Sequence, residues 1–518
     1  MKRFFTGACA KIGHFFWSWG FLKFVIAVIA LTMLFYMEED WRGARAWAAT
    51  KSKWEARSVS FDFNTYLPPP VPDDQNLATL ALFKLDPDPD PDPERLGYLT
   101  PLNLHRATFE KWNAQTDANP IPPTSWQSGK TTDMKKFRLA FAIEYSAMFP
   151  SQPVPQDLSA QMAIMFPFLV ELRAASMTRP YCRFEENYRF DAPVQNDLLG
   201  RSGAQILTSK YLTYDAIAAL DSSRCDQALD DIKLNTRLAR GSMDQPVLVS
   251  GLVAIGMVAI NLSAVYDGLA THAWNDAQLD ELQRELSQLD FLSDYHRLMR
   301  GETVGVLIPA IDRVKAQWAV WLPDKKTGVN YKDNSPSFMA NGWIDMWKAR
   351  SVDLNLTASG WADPEVRVFL PQKMAEYQAA TQKKLDSWSI YLPWNFLFRL
   401  GVTGPVFSAP HKFAQMQVWI DETRIACALE RYRLAQGVYP GALDTLAPAY
   451  IDELPHDIMN GQPYHYQLRP DGTYLLYSVG WNQTDDGGKV VFKKDAPLVI
   501  DYEQGDWVWP TPQLNPQK

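Results

Sequence analysis

The stretch FAQMQVWIDETRIACALERYRLAQGVYP, residues Phe413 to Pro440, decides how the last part of this chain folds. Val418, Ile425, Leu429 and Tyr432 recur at helical spacing and predict one buried face. Asp421, Glu422, Arg424, Glu430 and Arg433 are expected on the solvent side. Gly437 stands where a C-terminal cap belongs, and Pro440 blocks continuation. Working outward, Tyr464–Leu468 and Thr473–Val479 are predicted as a hairpin across Arg469-Pro470-Asp471-Gly472. Lys489–Phe492 and Leu498–Asp501 are further short strands. The helix Phe413–Leu434 would cover this sheet, packing Ile425, Leu429 and Tyr432 on Leu475, Tyr477 and Val479.

The motifs YRLAQGVYP, LAPAYIDELPHDIMNGQPYHY and LYSVG, followed by the acidic loop WNQTDDGG, come in a telling order. Together they resemble the C-terminal half of the major pseudopilin of type II secretion, over roughly the last fifth of the chain. The resemblance implies a pilin-like head that faces the periplasm and a loop that binds calcium. Calcium needs about six to eight oxygens gathered by a turning chain. Asn482, Asp485 and Asp486 supply side-chain oxygens, and Gly487-Gly488 lets the backbone turn sharply. The ion's role would be structural, neutralising clustered carboxylates and pinning the loop. Lys489, Lys493 and Lys494 follow where the family carries later acidic ligands, and a plain Asp-Gly turn is the alternative reading.

Upstream, the segment Phe15–Met37 is long enough to cross a bilayer, with Trp17, Trp19 and Tyr36 as interfacial anchors. Lys23 interrupts it, so a cleaved signal peptide is the rival to an uncleaved anchor. Basic residues flank the span on both sides, so charge does not fix its orientation. A pilin processing site would place Glu at the fifth position after its glycine. Here Gly20 precedes Phe21 and that position holds Val25. Residues 38–59 continue as an amphipathic helix with Trp41, Ala44, Ala48 and Trp54 near one face. A Pro- and Asp-rich linker, with LDPDPDPDPERL from Leu85, completes residues 38–129.

Residues 130–405 read as helix after helix. The predicted segments are Thr132–Ala147, Gln156–Ser176, Ser202–Leu220, Arg224–Ser242, Val247–Ala270, Asp276–Leu289, Leu292–Trp318 and Asp363–Trp388. The pair near Arg201–Ala239 resembles tetratricopeptide-type hairpins, without a clean repeat. Val247–Tyr266 carries no charge and is either a second span or a buried central helix. Ser250, Gly251, Gly256, Asn261 and Ser263 favour burial. Between residues 320 and 364, Trp321, Trp343, Trp347 and Trp361 sit in a weakly periodic insertion. They would either cover the array or stack peptide or glycan.

Net charge is −8, and no dense Lys/Arg run follows the N-terminus, which argues against nucleic acid. The cysteines show no zinc spacing; a Cys182–Cys225 bridge stays open if that region lies outside the cytoplasm. Gly129-Lys130-Thr131 lacks the earlier glycine of a phosphate loop, and the histidines make no HExxH pair. No catalytic constellation stands out. The expected fold is α+β, mostly α: a cytoplasmic tail and transmembrane signal anchor (1–37), the linker, a helical array, a pseudopilin-like head of a helix plus a small antiparallel sheet (406–510) and a tail (511–518). The expected role is a non-enzymatic protein of the bacterial inner membrane, single-pass, with its C-terminal domains periplasmic. Its partners would be pseudopilins or secretion-platform proteins. A periplasmic peptide- or glycan-binding module is the alternative.

Overall fold

The structure, a computed structural model, describes residues 19–83, 125–184, 194–317, 341–387, 403–494 and 496–510. Its helices begin with α1 (Trp19–Glu55), α2 (Met134–Met148), α3 (Leu158–Met165) and α4 (Pro167–Ser176). The array continues with α5 (Val194–Asp221), α6 (Cys225–Met243), α7 (Leu248–Ala270), α8 (Asp276–Ser287) and α9 (Phe291–Glu302). Then come α10 (Ile308–Gln317), α11 (Asn341–Ser359), strands β1 (Ala362–Asp363) and β2 (Val368–Phe369), and α12 (Pro371–Ser387). The last part holds α13 (Thr403–Gln436), β3 (His465–Leu468), β4 (Tyr474–Ser478), β5 (Val490–Lys493), β6 (Ala496–Gly505) and β7 (Trp507–Val508). The chain is therefore mostly helical, with small antiparallel sheets. The linker motif from Leu85, Trp17, Trp321 and the tail lie outside the described residues.

Two compact units emerge. The first takes the described residues within Met1–Phe61, Leu307–Leu356 and Ala380–Thr403; the second takes those within Asp62–Val306, Thr357–Ala379 and Gly404–Lys518.

In the first unit α1 runs without a break, because no proline or cap separates the apolar segment from the polar one. Its N-terminal half is long and apolar enough to cross a membrane, and none of that window is buried. Phe24, Ile26, Leu31, Met33 and Leu34 are all exposed. From Glu39 onward one stripe turns inward: Glu39, Gly43 and Trp54 are buried and Trp47 is half-buried. The predicted face of Trp41, Ala44 and Ala48 is instead exposed. The reason is steric. Gly43 is the point of closest approach to Gly342, and a methyl on either would overlap the other helix's backbone. Around that contact, Asp40 accepts from the Gly342 N–H at 2.7 Å and Glu39 from Trp343 Nε1 at 2.9 Å. Lower down, Trp54, Val59, Val352 and Leu356 form an apolar core. The Trp54 indole donates to Asp353 at 3.0 Å.

Residues 341–359, read from sequence as part of an irregular insertion, are helical. Their periodicity is weak because several sides are covered, including charged positions. Lys348 reaches Asp312 at 2.7 Å and lies over the Trp47 ring, while Asp345 pairs with Lys315 at 2.8 Å. The helix predicted from Asp363 starts only at Pro371. Before it, β1 and β2 form a hairpin, with Arg367 at φ 52° in the turn. Proline fits the first helical position because its missing N–H would lack a partner there anyway.

In the second unit α5, α6 and α7 form the centre. α7 is the charge-poor stretch of the sequence, and it is buried among helices. Its polar residues explain why. Asn261 donates to Ile232 O and to Thr236 Oγ1, both at 3.1 Å, and Ser250 donates to Gln245 at 2.9 Å. Asn235 repeats the device one layer away, donating to Ser209 O and Thr213. Such bonds satisfy polar groups that burial would otherwise penalise. Against α5, the rings of Phe137, Phe141, Phe166 and Tyr211 pack with Tyr214 and one another.

The predicted helix 156–176 breaks into α3 and α4, bent by 89°. Pro167 disfavours helical geometry at Phe166 and removes an N–H. From α4, Arg173 grips buried Asp231 with two bonds of 2.6 and 2.8 Å and also pairs with Asp215. Cys182 and Cys225 are free thiols and not a disulfide; Cys225 donates to Ala273 O.

Candidate functional site

The loop between β4 and β5 is the site that sequence singles out, and its frame is the sheet β3-β4-β7. β3 and β4 pair from His465↔Tyr477 to Leu468↔Tyr474, and β7 adds through Tyr477↔Val508. The hairpin turn is the predicted one: Gly472 takes φ 83° and the Arg469 N–H donates to Thr473 O at 2.7 Å. Ile425 and Leu429 of α13 are fully buried, while Tyr432 is half-buried and meets Tyr450 edge-on.

α13 departs from expectation on its other side. Asp421, Glu422 and Glu430 are buried, not solvated: Asp421 and Glu430 face residues outside the head, such as Asp290 and His272, while Glu422 lies on the same face as Ile425, against Asp457 and Ser478 of the head. Phe413 packs on Phe291 and Tyr295, Gln417 accepts from the Phe291 N–H, and Arg431 bonds Asp276 and Asp280. The buried charges are handled differently from one another. Burial pushes Glu422 well above the ordinary carboxylate range, and the nearby Asp457 adds to the effect. Burial also lifts Asp421, to about 6, against the lowering effect of Arg424 and Arg367. Asp457 is held by the Met459 and Val479 N–H groups and the Ser478 hydroxyl, at 2.9 to 3.0 Å. Ser478 in turn accepts from the Gly480 N–H, where the loop begins.

Within the loop, Asn482 and Asp486 come together, and the Asn482 amide donates to Asp486 Oδ2 at 3.0 Å. Asn482 Oδ1 accepts from the Thr484 N–H. Asp485 turns another way. Its Oδ1 accepts from Tyr477 Oη and the Gly487 N–H, each at 2.9 Å, and Oδ2 lies 3.5 Å from His465 Nδ1. The Gly487 N–H and the Tyr477 hydroxyl hold Asp485 below the usual carboxylate range. His465 stacks on Tyr477, fixing that side of the loop.

The organising group is one that sequence reasoning missed. Asp506, almost fully buried, accepts from the N–H groups of Asp486, Gly488 and Lys489 at distances down to 2.7 Å. Burial raises its pKa, and those N–H bonds pull it back. Gly480 and Gly488 take positive φ and leave no room for a side chain: a Cβ would meet Gly505 O at 2.6 Å or Leu475 at 2.7 Å. In this arrangement the loop's oxygens serve a tight turn. Among the described residues, no three His, Cys, Asp or Glu side chains are grouped as a metal ion requires. Calcium would take Asn482 Oδ1, Asp486 and backbone carbonyls, with Asp485 released from Tyr477.

Three tryptophans of the insertion lie within the described residues. Trp343 bonds Glu39 and lies edge-on to Phe35, Trp347 is half-buried, and Trp361 is buried against Phe407 and Tyr377. Comparison of the chain with protein-family models, with curated proteins and with solved structures finds no match.

Proposed function

We propose that this chain is a non-enzymatic, membrane-anchored envelope protein whose C-terminal head docks in an assembly related to secretion or pili. The observation that carries the reading is α1, whose exposed apolar half is long enough to cross a bilayer while its other half is held within a folded unit. The order of helix, hairpin and acidic loop in the head supports the docking role through its resemblance to the major pseudopilin. In this reading the helix anchors the chain in the bacterial inner membrane and the head lies in the periplasm. The loop of Asn482, Asp485 and Asp486 holds a structural calcium ion.

Crosslinking the tagged full-length protein in cells, then identifying partners from the solubilised membrane by mass spectrometry, tests the proposal. Recovery of pseudopilins or secretion-platform proteins supports it. Recovery of the protein alone, or a reporter fusion placing the head in the cytoplasm, overturns it.

A further inference from the structure

A cavity of about 280 Å³ opens in the helical array between α6, α8 and the segment 180–183. Four cations line it: Arg183, Lys233, Arg237 and Arg240, with Asp244 and Glu285 as the acidic members. Lys233 is matched by Glu281 at 2.7 Å. The three arginines are not matched so fully. Arg237 bonds backbone carbonyls of Ser176 and Arg179, and Arg240 bonds the side-chain amide of Gln288. These partners are neutral, so they orient the guanidiniums without cancelling their charge. Arg183 lies 3.5 Å from Asp244, and its Nε is buried without a hydrogen bond.

The wall is built firmly. Buried Asn76 accepts from the Arg183 N–H and donates to the Arg183 carbonyl, both at 2.8 Å, and the Leu77 N–H donates to Tyr181 O at 2.7 Å. The floor is Cys182 against Gly241, where a Cβ would lie 2.9 Å from the thiol sulfur. Burial pushes that thiol well above its ordinary range, so it is an uncharged surface and not a nucleophile.

We infer that this cleft binds a carboxylate group. With Lys233 already paired, three guanidiniums face two carboxylates, which suits a single negative charge. Planar guanidinium forks match a planar carboxylate in two-bond geometry. Asp244 and Glu285 would repel a dianion such as phosphate. The carboxylate is either that of a free small acid or the C-terminus of a peptide, and the volume admits only a short group of either kind.

Isothermal titration of the detergent-solubilised full-length protein tests this. The probes are acetyl-trialanine with a free C-terminus, the same peptide as an amide, butyrate and inorganic phosphate. Saturable binding of butyrate assigns a free acid, and saturation by the tripeptide acid alone assigns a peptide end. Arg240→Gln should weaken binding about tenfold or more, the loss of one charged hydrogen bond. Glu285→Gln should tighten it severalfold, an effect that mere structural damage would not produce, and this second variant decides the matter if the first does not fold. Equal binding of acid and amide, preference for phosphate, or no binding of either carboxylate overturns the inference.

Discussion

Glu430 Oε1 lies 2.8 Å from His272 Nδ1, joining α13 to the turn that follows α7. The same carboxylate accepts from Arg433 at 2.6 and 2.8 Å and from the Tyr439 hydroxyl at 3.0 Å. Burial alone would raise its pKa, yet the bonds from Arg433 and His272 outweigh it and leave the pKa lowered. A lowered carboxylate stabilises above the unfolded pKa, and the contribution is lost as pH falls through the folded one. Glu430→Ala should therefore cost about 3 kcal/mol at neutral pH, as for breaking a buried charge network, and less in acid. Urea denaturation of both proteins at pH 7 and pH 4 measures the difference.

Gly43 and Gly342 make a prediction of the opposite kind, about space and not charge. Gly43→Ala or Gly342→Ala should destabilise the first unit by about 1–3 kcal/mol, the usual cost of overpacking. Limited proteolysis in detergent would show faster cleavage between residues 38 and 61. Ala44→Ser, on the exposed side of the same helix, should leave the pattern unchanged.

Glu144 should give the array a pH dependence. Burial lifts it from 4.5 to about 7, partly offset by Lys210. Between those values the native chain holds a proton that the unfolded chain has released, so stability falls as pH rises. The change over that window is about 3 kcal/mol. Glu144→Gln should flatten that slope and be more stable than the parent at pH 8. Melts of the two proteins from pH 4.5 to 8 read it directly.

Calcium should raise the melting temperature of the full-length protein, and chelation should reverse the effect. Asp486→Asn should abolish the calcium response while keeping the turn, whereas Asp506→Asn should loosen the turn with or without the ion. A response that survives Asp486→Asn would remove the loop from consideration.

Legibility followed the kind of signal each element carries. The hairpin of β3 and β4 was readable because Pro470-Asp471-Gly472 encodes its turn locally. The apolar half of α1 was readable because an unbroken apolar run of that length is a local signal that needs no periodicity to interpret. The buried side of α13 was not. Asp421, Glu422 and Glu430 look solvated in sequence, since groups that help to bury them are far along the chain: His272 lies more than a hundred positions before Glu430, and Asp457 and Ser478, which face Glu422, come tens of residues later. For the same reason Asn482, Asp485 and Asp486 could be noticed as neighbours, while Asp506, twenty residues on, could not be seen as the group that collects the loop's N–H donors. The helix 341–359 escaped because pairing with Lys315 and Asp312 puts charges on faces that would ordinarily read as solvent.

The unbroken course of α1 has a mechanical consequence. A helix of this length measures about 55 Å from end to end, with exposed apolar side chains on one half and the Gly43–Gly342 and Trp54–Asp353 contacts on the other. It is a lever with no joint. With its apolar half set in a bilayer, any tilt of that arm would tilt the other arm with it, and the two contacts would pass that tilt to α11 as torque.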